Sequence, residues 1–257
     1  QLNFQEQVVY DVSTWTLPLA FGLTHTTEPV RGLTTEKLSE QLSPQSKELA
    51  RSSVGYLIDW RDSATPKVLY QLLDTEVKIR VATRPLTADV KKQGVRSFGY
   101  GTLFVSPQLT EDFPEDALKI LDSAARAGVG VYSVESSTTP VGIDMGSRYF
   151  KVISKPKVLL VSGAGTNAYR TGEIWHLLDT RVQMPVTRVG LDRLRNIDLS
   201  NYTHVLLADP LKSSQEDLVT KIVSFVRSGG IMWVQGDRAI KWLDKQSVSD
   251  IIFKESK

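Results

Sequence analysis

Two stretches of this chain, LLDTEVKIRVATRPL from Leu72 to Leu86 and LLDTRVQMPVTRVGL from Leu177 to Leu191, are identical at 7 of 15 positions. A match of that length within one chain predicts internal duplication, each copy folding as one unit. Shorter alignments extend it. VGYLIDW from Val54 opposes KVLLVSG from Lys157, GTLFVSP from Gly101 opposes HVLLADP from His204, and AGVGVYSVE from Ala127 opposes SGGIMWVQG from Ser228.

The apolar runs inside each copy are too short for helices and too continuous for strands with one wet face. They predict strands buried on both sides, as in a parallel sheet. Helices are expected between them. The clearest runs from Ser214 to Ser228, with Ser214 and Asp217 at capping-box spacing, an apolar face of Leu218, Ile222, Phe225 and Val226, and Gly229-Gly230 as a left-handed cap. In the first copy Thr65 and Pro66 are expected as N-cap and first residue of a helix through Leu73. The order strand, helix, strand, loop, strand, helix, strand implies right-handed crossovers. The fold class expected is α/β: an internally duplicated, flavodoxin-like chain of mostly parallel sheets with helices on both faces.

Three regions follow: residues 1–50 as a lead-in segment and linker from an upstream domain, 51–150 as the first α/β copy and 151–257 as the second. The turn-rich stretch from Ser136 to Lys157 reads as the connector. In the first region Phe4, Tyr10, Trp15 and Leu17 are expected to form an apolar patch that a partner domain covers. Composition narrows the functions. With 41% hydrophobic and 23% charged residues the chain can build real cores. Its net charge of +2, with no long basic run, argues against nucleic acid as a partner. No apolar span is long enough for a membrane helix. The absence of cysteine removes disulfides, thiolate metal sites and cysteine nucleophiles. A start at Gln1 without a leader is the mark expected of a piece of something longer.

In an open α/β sheet, ligands bind beyond the carboxyl ends of the strands, so SGAGTNAYRTGEIWHLLDT, from Ser162, is the first place to search. Gly163 and Gly165 permit a tight turn with exposed amides at a helix start, a geometry that can take an anion. If the helix begins near Ala168, then Arg170, Glu173 and His176 form one polar ridge, and Ile174, Leu177 and Leu178 a buried stripe. The ridge is the candidate for a carboxylate ligand; the competing reading is a solvated face or a contact between the copies. Ser106-Pro107 and Asp209-Pro210 occupy the nucleophile-elbow positions, but proline replaces the N–H an oxyanion hole needs, and both side chains read as caps. His204 marks the start of a strand. His25 and Glu28 have the His-x-x-Glu spacing of zinc carboxypeptidase ligands, but Pro29 follows at once, and the pair is read as a decoy in an exposed loop.

YDVSTWTLPLAFGL (from Tyr10), GYLIDWRD (from Gly55), FGYGTLFV (from Phe98), TPVGIDMGS (from Thr139), GEIWHLLDTRVQMPVTRV (from Gly172) and DLSNYTHVLLADP (from Asp198) together carry a family resemblance. The chain resembles the C-terminal, non-peptidase region of bacterial zinc carboxypeptidase-family proteins, a region with a class I glutamine amidotransferase-like fold. The resemblance implies a metallopeptidase domain upstream that holds the zinc and is this region's partner, a periplasmic or secreted hydrolase, and no cofactor in this part. An amidotransferase of that class needs a nucleophilic cysteine, so the region is expected to be non-catalytic and to support the peptidase. The alternative is a module binding a small molecule or peptide carboxylate through the Gly163 loop and the Arg170, Glu173 and His176 ridge.

Overall fold

The computed structural model describes residues 48–236 and 238–246, with residues 18, 22–25 and 32. The chain forms two compact units, Gln1–Leu42 and Ser43–Lys257. Of the first, the description is local: the Leu23 N–H donates to the Pro18 carbonyl at 2.7 Å. The expected patch of Phe4, Tyr10, Trp15 and Leu17 lies outside the described residues, as does Glu28.

The second unit is mixed α/β, built on two sheets. The first half runs β1 (Gly55–Ile58), α1 (Thr65–Asp74), β2 (Ile79–Ala82), β3 (Leu86–Val90), β4 (Gly94–Phe98), β5 (Leu103–Val105), α2 (Glu115–Arg126), β6 (Val131–Val134) and β7 (Phe150–Ile153). These strands form one seven-stranded sheet in the order β4-β3-β6-β1-β5-β2-β7. Every neighbour in it is antiparallel. The units β1-α1-β2 and β5-α2-β6 interleave: β5 fills the gap between β1 and β2, and β1 fills the gap between β5 and β6. This is the split βαβ pattern of a ferredoxin-like sheet.

Both faces of this sheet are covered, by different means. Tyr56, Ile58, Ile79, Leu103 and Val105 meet Leu72 of α1 and Leu121 of α2. On the other face Leu57, Phe104, Val134 and Phe150 pack with Phe98 of the β3-β4 hairpin and with Ile143 and Met145, which lie outside regular elements. Met145 is fully buried. Each such side chain stabilises the fold by about 1.5–3 kcal/mol through burial.

The structure therefore corrects the first-copy expectation at five points. The sheet is antiparallel, because continuous apolar runs report two covered faces and not strand direction. Its helices lie on one face only. The loop expected between the second and third strands is a hairpin, and the connector from Ser136 supplies core residues and strand β7 before the passage to the second sheet at Ser154. Thr65 is the first helical residue rather than the cap: its hydroxyl donates to the Asp59 carbonyl at 2.7 Å, tying α1 to the end of β1.

The second half runs β8 (Val158–Ser162), α3 (Ala168–His176), β9 (Val186–Gly190), α4 (Leu191–Leu194), β10 (His204–Leu207), α5 (Glu216–Arg227), β11 (Ile231–Val234) and α6 (Ala239–Gln246). Its sheet is wholly parallel, in the order β11-β10-β8-β9. Here helices do lie on both faces. Ile174 of α3 packs on Leu160 and Ala208, while Leu218, Ile222 and Phe225 of α5 pack with Leu159, Val161, Val205 and Leu207 on the opposite side. A π turn over Leu177–Arg181 extends α3 and swings Leu177 out of the expected stripe, to 55% exposure.

At the end of α5 the Gly230 N–H reaches the Phe225 carbonyl and the Gly229 N–H the Val226 carbonyl, both at 3.0 Å. With Gly229 at φ +99°, this is the expected left-handed Schellman cap. The expected capping box is absent. α5 starts at Glu216 after a short 3-10 turn, and Gln215 Oε1 accepts from the Lys212 N–H at 2.8 Å.

The two aligned halves share a succession of elements but not a topology. Counting their four aligned strands in chain order, the first sheet reads four-one-three-two and the second four-three-one-two. The halves meet where Tyr70 of α1 packs on Val158 and Met184. Lys155 pairs with Asp74 and lies 5.3 Å from the Tyr70 ring centroid.

Candidate functional site

A parallel sheet collects the carboxyl ends of its strands along one edge, and a crevice opens where successive crossovers pass to opposite faces. In this sheet that place lies between β8 and β10, since α3 and α5 cover different faces. The turn after β8 is closed by the Thr166 N–H and hydroxyl, which both donate to the Gly163 carbonyl, at 3.1 and 2.8 Å. Gly163 and Gly165 sit at φ +84° and +90°, the left-handed region that glycine enters freely. The helix then starts with a side-chain cap: Asn167 Oδ1 accepts from the Arg170 N–H at 3.1 Å.

Asp209, just beyond β10, reaches across to this helix start. One carboxylate oxygen accepts from the Asn167 N–H at 3.3 Å and the other pairs with the Arg170 guanidinium. Gly236, beyond β11, closes on the same pair. A Cβ there would stand 3.1 Å from Arg170 Nη1 and 3.3 Å from Asp209 Oδ1, and its φ of +114° excludes most other residues. Three loops thus converge on one ion pair. A crevice of about 710 Å³ opens beside it, lined by Arg170, Asp209, Lys212, Arg238, Trp242 and Lys245 among others.

Of the residues expected to bind a ligand, the structure places Gly165 and Arg170 in this crevice and Gly163 in the adjoining turn. Glu173 and His176 are exposed and do not line it. Three residues of an α-helix fall about 60° short of a full turn, so the ridge winds away from Arg170 as it descends α3. Asp209 was read as a local cap; it binds the other loop instead. Lys212, Arg238 and Lys245 were not foreseen. For Lys212 a signal was available: ADPLK follows the third strand of the parallel sheet as SGAGT follows the first, and the strand-end argument applies to both.

Other candidates resolve locally. Ser106 is buried; its hydroxyl donates to the Val54 carbonyl at 2.5 Å and accepts from the Gln108 N–H at 3.2 Å, so it caps a short 3-10 turn as expected. His204 begins β10, at the amino end of the sheet. Its Nδ1 lies 2.7 Å from Thr203 Oγ1, and burial pushes its pKa down. His25 is exposed, and its Nδ1–H donates to the Leu23 carbonyl at 2.9 Å. Among the described residues, no three His, Cys, Asp or Glu side chains are grouped to hold a metal ion. None of the helices among them is long and apolar enough to cross a membrane.

Comparison of the chain with protein-family models, with curated proteins and with solved structures returned no match.

Proposed function

We propose that this chain is a non-catalytic accessory region of a zinc carboxypeptidase-family protein. Its second half is a flavodoxin-like, class I glutamine amidotransferase-like sheet, and its role is to pack on and support a peptidase domain that carries the zinc elsewhere in the same polypeptide. On this reading the protein works in the periplasm or outside the cell. The family part rests on the stretches quoted above, from Tyr10 to Pro210.

The non-catalytic part rests on one observation, the engagement of Asp209. A carboxylate at the crevice of a doubly wound sheet is where acid or base chemistry would be expected. This one is held by a guanidinium and a backbone N–H. Both contacts fix its direction. Such a group joins two loops, its oxygens engaged by the protein itself rather than left open to a substrate. An amidotransferase of this class would need a cysteine, and the chain has none.

The test is a peptidase assay of this chain beside the longer parent protein, each with zinc analysis. Activity and stoichiometric zinc in the parent only are expected. Zinc-dependent hydrolysis by this chain alone, abolished in Glu173→Ala and His176→Ala, would overturn the reading.

A further inference from the structure

We propose that the crevice at the carboxyl ends of β8 and β10 binds a small anion carrying two or more negative charges. The chain as a whole has a net charge of only +2. Yet this one cavity is lined by Arg170, Lys212, Arg238, Lys241 and Lys245 against a single carboxylate, Asp209. Arg170 and Asp209 neutralise each other, and Lys241 has an interaction of its own. The recognition is therefore assigned to Lys212, Arg238 and Lys245, none of which forms an ion pair among the described residues.

Their placement sets the ligand's shape. Arg238 and Lys245, with Trp242 between them, recur at helical spacing on one face at α6, while Lys212 comes from a separate element, the loop after β10. Cations on separate elements match a ligand whose charges are spread over more than one group. Trp242, half-buried against the core of this half, gives the cavity an apolar wall. Glu216 adjoins Lys212 and Lys245 in the neighbouring cleft, which leaves the field positive. The anion does not sit at the start of α3, because the Asp209 carboxylate already holds that position. The site thus moves away from the Glu173 and His176 end of the ridge. It also stands independently of any peptidase partner, so the two proposals fail separately.

The experiment is isothermal titration of the full 257-residue chain, at low salt, with inorganic pyrophosphate and separately with citrate. Saturable binding of at least one is expected. Pyrophosphate alone would assign a phosphoryl ligand, and citrate alone a polycarboxylate. The double substitution Arg238→Gln and Lys245→Gln should weaken binding about tenfold or more. Arg238→Lys with Lys245→Arg, and Lys119→Gln on α2, should retain it.

A second readout avoids mutation: pyrophosphate or citrate should shield Lys212 and Lys245, but not Lys119, from acetylation as read by mass spectrometry. Failure of both anions to bind saturably would overturn the site. So would equal binding by a folded double glutamine variant, or shielding that does not distinguish Lys212 and Lys245 from Lys119.

Discussion

The halves of the larger unit use the same succession of elements to opposite effect. In the antiparallel half each helical crossover spans a one-strand gap, filled by β5 in the first case and by β1 in the second, so strand ends and loops are shared between both edges of the sheet. In the parallel half β8 pairs with β9, and β10 with β11, each with its own successor. The pairing is parallel throughout, so all four carboxyl ends face one way, and the loops after β8, β10 and β11 converge on Asp209 and Arg170. Placing a binding site depends on strand direction, and direction is a property of pairing order, not of the strands' composition.

The comparison can be broken most forcefully in the antiparallel half. Met145 belongs to a stretch that reads as linker, yet it closes one face of that sheet. Met145→Ala should destabilise the chain by about 2–5 kcal/mol in a urea titration, the range for emptying a core position. A loss within about 0.5 kcal/mol, as at a surface site, would return the stretch to the role of a simple connector.

A smaller effect is expected in the parallel half. Asp209→Asn leaves the Arg170 guanidinium without its counter-charge and should cost about 1–2 kcal/mol, within the range for a charged hydrogen bond. Combined with Arg170→Ala in a double-mutant cycle, the two should couple by about 1 kcal/mol. Additivity would mean that the loops converge without being joined.

The smallest effect sharpens the contrast between the two ends of β10. Burial disfavours the charged form of His204, so its folded pKa lies below the unfolded value of about 6.5. Its contribution is complete above that pH and declines as pH falls from there toward the folded value. His204→Asn should flatten the slope of thermal stability between about pH 7 and 5. An unchanged slope would place the responsible group elsewhere.

How much of this was legible in the sequence follows from what each signal measures. The runs at Gly55–Ile58 and Val158–Ser162 were readable as strands because every residue but the last of the second is buried. Burial on both faces looks the same whether the cover is a helix, as over β8, or a stretch with Ile143 and Met145, as over β1. Gly229-Gly230 was readable because the left-handed cap depends on neighbouring residues alone. The tie between Asp209 and Asn167 was not, because it joins loops that only tertiary structure brings together. Leu177 was misread for a third reason: a π turn changes the helical phase that the expected stripe assumed.

The interleaving of the first sheet also sets an order of assembly. During synthesis from the amino end, β1 and β2 emerge with no strand to pair with, since β1 lies between β6 and β5, and β2 between β5 and β7. Only the β3-β4 hairpin can close early. Both waiting strands, with buried residues as apolar as Leu57, Ile58 and Ile79, stay unpaired until Leu103–Val105 arrives. The parallel half meets no such delay, because β8 and β9 are neighbours joined by one helix. A chaperone that holds unpaired strands would therefore act on the first half, in the interval between β2 and β5.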